Sequence, residues 1–215
     1  MTIEDLINKL SNNLIKKTPL ENPYKITKNL LMFSVFYYIL LQIFLGYRDD
    51  ISEKATQPIF ILEFLLILSL LISSLFSLSL SCYPDYHQKY FFTKIPQIII
   101  IITMILFVAK IFIEENQAIQ NRPIHNIECF ICVILSSIIP SIYFFAKLKK
   151  GYSINYLRSL FFSIISAGSF SLMALRISEK NDSDFHIIFY HYSPIILILA
   201  VGILFVNNFL KKTKS

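Results

Sequence analysis

Residues 59–83 read IFILEFLLILSLLISSLFSLSLSCY, an apolar run of 25 residues in which Glu63 is the only charged side chain. A helix needs about 20 such residues to cross the hydrocarbon core of a bilayer. Inside lipid the backbone must satisfy its own hydrogen bonds, which a helix does within one segment. The run therefore predicts a membrane-spanning helix.

Five further apolar runs of similar length lie along the chain. They are Asn29–Tyr47, Ile95–Ile113, Ile127–Ala146, Ser153–Leu175 and Phe185–Phe205. Hydrophobic residues make up 55% of the 215 residues, whereas soluble domains are usually about 45–50% apolar. The sequence predicts an all-α, polytopic membrane protein with six transmembrane helices.

The basic residues are distributed unevenly between alternate connections of the predicted spans. With the N-terminus inside, the cytoplasmic side receives thirteen: Lys9, Lys16, Lys17, Lys25, Lys28, Lys89, Lys94, Lys147, Lys149, Lys150, Lys211, Lys212 and Lys214. The outer side receives five: Arg48, Lys54, Arg122, Arg176 and Lys180. Because Lys and Arg are retained in cytoplasmic loops, this bias predicts that both termini are cytoplasmic.

Three parts follow from this topology: a cytoplasmic segment at 1–28, a six-helix membrane domain at 29–210 and a basic cytoplasmic tail at 211–215. The opening MTIEDLINKLSNN lacks the basic start of a signal peptide. The net charge of +6 is explained by topology and by contact with the bilayer, so we expect no direct binding of nucleic acid.

The first segment carries apolar residues at three- and four-residue spacing. They are Ile3, Leu6, Ile7, Leu10 and Leu14. This spacing predicts a short amphipathic helix over 2–16, which Pro19 and the Asn22-Pro23 pair end before the first span. The apolar stripe either lies on the inner leaflet or binds in a groove of a cytoplasmic protein.

Cys129 and Cys132 form a C-F-I-C pattern at the predicted outer end of the fourth span, on one face of the helix. They are either small buried packing residues or candidate sensing thiols on the periplasmic side. Cys82 is predicted near the opposite membrane face.

Other residues with metal-binding side chains fall near the same outer boundary, namely His125, Glu128, His186 and His191. Their spacing, together with that of the two cysteines, matches no closed zinc pattern. We therefore expect neither a metal site nor a cofactor.

Small residues recur every four positions in two spans, as Ser69, Ser73, Ser77 and Ser81 and as Ser163, Ala167 and Ser171. Small residues at this spacing allow helices to approach closely. A polar pathway in a small transporter or channel subunit is the alternative, and a membrane thiol-redox sensor is another. No catalytic motif such as G-x-S-x-G, H-E-x-x-H or a Walker loop is present, so we expect no enzyme.

The order of these features resembles the NrsF-type membrane anti-sigma factors, the family of negative regulators of sigma F. The resemblance lies in the opening T-x-E-D-L-I-x-x-L-x-x-x-L and in L-G-Y-R-D-D at Leu45–Asp50. It extends to Pro58, Phe60 and Glu63, to Cys129 or Cys132 preceding Pro140, to Lys147–Gly151, to Ser166–Gly168 and to Tyr190-His191.

This resemblance implies a membrane-bound anti-sigma factor at the bacterial inner membrane. Such a protein sequesters an extracytoplasmic-function sigma factor and releases it on an envelope or stress signal, with the stripe of residues 2–16 as the partner-binding surface. The family places a second cysteine near the outer end of the fifth span, where this chain reads Leu175–Ser178 without one. A sensing pair of that kind is therefore not available here.

Overall fold

Six long apolar helices form the protein in the computed structural model, which describes residues 21–83, 90–114, 127–149, 156–183 and 186–212. The helices are α1 Pro23–Leu45, α2 Ile51–Lys54, α3 Pro58–Leu80, α4 Tyr90–Glu114, α5 Ile127–Lys149, α6 Tyr156–Ser178 and α7 Ser193–Lys212. A π-helical turn at Ile187–Tyr192 leads directly into α7. These described ranges contain no strand, so the predicted all-α class with six spans is confirmed.

The first span begins earlier than the predicted Asn29. Asn22 caps α1, because its side-chain oxygen accepts a hydrogen bond of 3.0 Å from the N–H of Tyr24. Pro23 occupies the first turn, where its missing N–H costs nothing. The Asn-Pro pair, which we interpreted as the end of the preceding segment, therefore begins the membrane helix.

Large apolar side chains cover the outside of the bundle. Phe44 is 84% exposed and Ile43 is 72% exposed on α1, and α4 and α5 present Ile105 and Ile142 in the same way. An exposed apolar surface of this extent is far larger than soluble monomers carry. It suits the lipid environment of a multi-pass membrane protein.

Helix α6 lies at the centre of the bundle. Of its membrane-spanning window 72% is buried, against 17% for α1. It packs against α1, α3, α5 and α7, and Ser163, Ser166 and Ala167 along it are fully buried. The small side chains allow α6 to occupy this central position, because they let several neighbouring helices approach it closely.

Serine hydroxyls join α6 to α5 across this packing. Ser171 Oγ accepts hydrogen bonds of 2.9 Å from both Ser136 and Ser137. Ser163 donates to the carbonyl of Ser141 at 2.8 Å. The prediction that the small residues of the fifth span mediate helix packing is confirmed.

The serines of α3 and the residues just after it have a similar role. The hydroxyls of Ser81 and Ser159 on α6 lie 3.0 Å apart, and Ser77 donates to the carbonyl of Phe92 on α4 at 3.1 Å. Ser69 and Ser73 instead donate to carbonyls of their own helix. Among the described residues, hydrogen bonds from this stripe to another helix come from its second half.

Several predicted features lie outside the described residues. These are the helix over 2–16 with its stripe Ile3, Leu6, Ile7, Leu10 and Leu14, the residue His125, and the last residues of the basic tail, 213–215. The division into three parts and the cytoplasmic location of both termini stay predictions.

Candidate functional site

Among the described residues, one end of the bundle carries linked ion pairs together with Cys129, His186 and His191, and we call it the charged end. Helices α1 and α6 end there, and α3, α5 and the π turn begin there. The chain leaves α1 through Gly46 at a positive φ of 74°, a conformation that favours glycine. The N–H of Arg48 then donates to the carbonyl of Ile177 at 3.1 Å, which joins the two helix ends.

Arg48 is only 1% exposed. Its guanidinium donates to both carboxylate oxygens of Asp50, at 2.7 and 2.8 Å, and to both of Asp182, at 2.9 Å each. These are bidentate, charge-assisted pairs, the strongest kind of hydrogen bond between side chains. One buried arginine therefore holds two carboxylates that are 132 positions apart in the sequence.

Arg176 extends the same contacts into the bundle. It donates to Asp182 at 2.6 Å and to Glu63 at 2.7 Å, and its guanidinium carbon lies 5.0 Å from the centre of the Phe60 ring. Lys54 also contacts Asp182, at 2.8 Å. We call the whole set the charge network: Arg48, Asp50, Lys54, Glu63, Arg176 and Asp182.

The charge network contains three cations and three carboxylates, so its formal charge is zero. Buried charges are costly unless each one is paired and hydrogen-bonded. Here the pairs connect the segment after α1, the start of α3, the end of α6 and the segment that follows α6. We missed this network in the sequence, although the L-G-Y-R-D-D motif and the charged Glu63 inside an apolar run were signals of it.

Asp182 is the carboxylate on which the network converges. Burial alone would raise its pKa, but hydrogen bonds from Arg48 and Lys54 and the charge of Arg176 hold that pKa well below its usual range. The pKa of Asp50 is lowered by its hydrogen bonds with Arg48. Both groups are therefore carboxylates in the folded protein at neutral pH.

This gives a pH prediction with a definite sign. Because the folded pKa of Asp182 is depressed, its contribution to stability is present above the unfolded value of about 3.9 and is lost as the pH falls through the folded value. We expect the stability of the unmodified chain in detergent to decline below about pH 4. The Asp182→Asn variant should be less stable at pH 7, and its stability should decline less steeply in acid. The measurement is the fraction of protein that stays in the main size-exclusion peak after heating at each pH from 3 to 8.

The matched control is Asp49→Asn. Asp49 is 85% exposed on its side chain and pairs only with the exposed Lys180 among the described residues, so its replacement should leave the acid decline unchanged. An acid decline equally steep in Asp182→Asn and the unmodified chain would contradict the prediction.

A second group of side chains lies beside the charge network, and we call it the thiol–imidazole cluster: Cys129, Glu179, His186 and His191. The Cys129 thiol donates to Glu179 Oε2 at 3.0 Å. Ligand atoms of Cys129, His186 and His191 all lie within 4.8 Å of one another. Both imidazoles are buried, at 0% and 2% exposure, with ring centres 5.0 Å apart.

The π turn is the reason that the two histidines meet. In an α-helix, residues five positions apart are separated by about 140° around the axis. A π turn forms its hydrogen bonds between residues five apart and so brings such residues onto one face. The five-residue spacing of His186 and His191 therefore does not predict that the two side chains meet. Their contact depends on the π turn.

The two candidate sensing thiols have different surroundings. Cys129 belongs to the thiol–imidazole cluster, whereas Cys132 packs against an apolar core that includes Val133 and Leu172. All three cysteines are free thiols. Cys82 lies just past α3 at the other end of the bundle, where burial raises its pKa to about 12.

Comparison with known proteins places the chain in a family. No curated protein and no solved structure matches it. A family model described as NrsF, negative regulator of sigma F, matches residues 10–211. That match covers nearly the whole chain, including the charge network and the thiol–imidazole cluster, and the chain therefore belongs to the NrsF family of negative regulators of sigma F.

Proposed function

We propose that this protein is a membrane-bound anti-sigma factor of the bacterial inner membrane. It sequesters an extracytoplasmic-function sigma factor and releases it on an envelope or stress signal. The observation that carries the proposal is the family match over residues 10–211. A negative regulator of a sigma factor needs a sigma factor as its partner, and we propose no catalytic role.

The six spans leave little chain for such a partner to bind. In the proposed orientation, with both termini in the cytoplasm, the segment before α1 is the longest cytoplasmic part. Its apolar stripe would enter a groove of the sigma factor. Each buried Leu or Ile contributes up to about 1.5–3 kcal/mol, before the cost of ordering the helix on binding.

Substitutions on the stripe test this role. Leu6→Asp or Leu10→Asp should weaken binding of the sigma factor about 10- to 100-fold, because a carboxylate would replace an apolar anchor in a dry groove. The measurement is co-purification of the tagged full-length chain with an extracytoplasmic-function sigma factor of the same organism. The variants should still insert in the membrane in unchanged amounts.

Asn8→Asp and Asn12→Asp are matched controls, because they add the same charge on the opposite face of the predicted helix. They should retain the sigma factor. Equal retention by Leu6→Asp, Leu10→Asp and these controls would exclude the stripe as the binding surface. Reporter fusions that place residue 1 outside the cytoplasm would overturn the proposed orientation as well.

A further inference from the structure

We propose that the thiol–imidazole cluster is a metal site that binds one divalent transition-metal ion of the zinc class. Cys129, His186 and His191 would supply one sulfur and two nitrogen ligands, and Glu179 would supply a carboxylate oxygen. This site goes beyond the proposed anti-sigma role and does not depend on it.

The geometry is close to that of a four-coordinate site. With metal–sulfur and metal–nitrogen distances of about 2.3 and 2.0–2.1 Å, tetrahedral ligand atoms lie about 3.3–3.6 Å apart. The three ligand atoms of Cys129, His186 and His191 lie within 4.8 Å of one another. The Glu179 oxygen already lies 3.0 Å from the Cys129 sulfur. Side-chain rotations that bring these ligand atoms closer together would complete the site.

His191 supplies an independent observation. The residue is only 2% exposed, and its Nε2 has no hydrogen-bond partner within the described ranges. A ring nitrogen of the same imidazole belongs to the group of ligand atoms. A buried polar atom without a partner is costly and is found where function requires it, and metal binding would use this imidazole.

The donor set matches a borderline cation in charge and in type. The Asn181 N–H donates to Glu179 Oε1 at 3.2 Å and the Cys129 thiol donates to Glu179 Oε2 at 3.0 Å, so hydrogen bonds hold both oxygens of this carboxyl group at the cluster. One sulfur, two nitrogens and one oxygen suit Zn²⁺ or Co²⁺.

Charge balance supports binding in this buried place. The ion would enter as the Cys129 thiol loses its proton to solvent, so that one thiolate and one carboxylate neutralise the two positive charges. No oxidation or reduction is involved. The bound ion would connect the first turn of α5, the segment after α6 and the π turn before α7.

The test uses the full-length chain in detergent, purified with a tag that contains no histidine. After treatment with a chelator, the protein is titrated with Co²⁺ and then with Zn²⁺. We expect one Co²⁺ per chain, a thiolate-to-cobalt charge-transfer band, and loss of that band on addition of Zn²⁺. Cys129→Ser should abolish the band, and His191→Gln should weaken binding at least about 10-fold.

Cys132→Ser and Cys82→Ser are the matched controls and should bind Co²⁺ as the unmodified chain does. A second measurement uses thermal unfolding: Zn²⁺ should raise the midpoint temperature of the unmodified chain and leave that of Cys129→Ser unchanged. Absence of Co²⁺ binding, a thiolate band that survives Cys129→Ser, or the same Zn²⁺-induced shift of the midpoint temperature in Cys129→Ser and in the unmodified chain would each overturn the proposal.

Discussion

Replacing Arg48 by Met should lower the free energy of unfolding by about 3–5 kcal/mol, the usual cost of removing one partner of a buried ion pair. Arg48 is fully buried and donates to two carboxylates. Its loss would leave Asp50 and Asp182 close together without the cation that lies between them. Unfolding in mixtures of mild and denaturing detergent, followed by far-ultraviolet circular dichroism, measures the change.

The control is Lys180→Met, which removes the exposed cation of the Lys180–Asp49 pair at the same end of the bundle. The two side chains are 65% and 85% exposed, and exposed pairs contribute little, typically about 0–1 kcal/mol. Arg48→Lys should fall between the two, because it keeps the charge and loses the bidentate geometry. Similar losses for Arg48→Met and Lys180→Met would show that the network does not stabilise the bundle.

Gly168→Leu should destabilise the bundle by about 3 kcal/mol, the upper end of the usual cost of overpacking. Gly168 lies on α6 against Ile195 of α7. A Cβ added at this position would come within 2.8 Å of Ile195 Cδ1, 2.9 Å of its Cγ2 and 3.0 Å of its Cγ1. Three atoms of one side chain, including two near its branch point, cannot all move aside, so the helices must separate.

A double variant isolates the contact. Ile195→Ala removes the atoms that a larger residue at 168 would meet, so Gly168→Leu should cost much less in that background. Gly202→Leu is the comparison position, because its Cβ would meet only the flexible ends of Ile164 and Leu160, at 3.1 and 3.2 Å. Additive losses from Gly168→Leu and Ile195→Ala in the same detergent titration would contradict the proposed contact.

The motifs that carry the family resemblance have structural roles at these positions. In L-G-Y-R-D-D, Gly46 turns the chain and Arg48 holds the charge network together. Glu63 forms an ion pair with Arg176, and Gly168 allows α7 to approach α6. His191 belongs to the thiol–imidazole cluster. The resemblance pointed to the right positions without indicating what each of them does.

The candidate site was predicted only in part. Cys129 was a candidate from its pattern, and the structure places it beside two buried histidines and Glu179. Cys132, chosen for the same reason, lies in apolar packing. The expectation of no metal site rests on the absence of a local ligand motif, a criterion that does not cover ligands from separate helices, and it stays a prediction. The stripe of residues 2–16 stays a prediction.

The sequence by itself determined the six helices, because the bilayer thickness sets the length of apolar run that a spanning helix needs. It also determined the close packing of the fifth span, because small residues at regular spacing let neighbouring helices approach. The tertiary structure alone decided which charges and ligands meet. Arg48 and Asp182 are 134 positions apart, and His186 and His191 share a face only through a π turn. Such contacts depend on how the helices pack and on where the hydrogen bonding changes from the α to the π pattern. Neither of these two features produces a periodic pattern in the sequence.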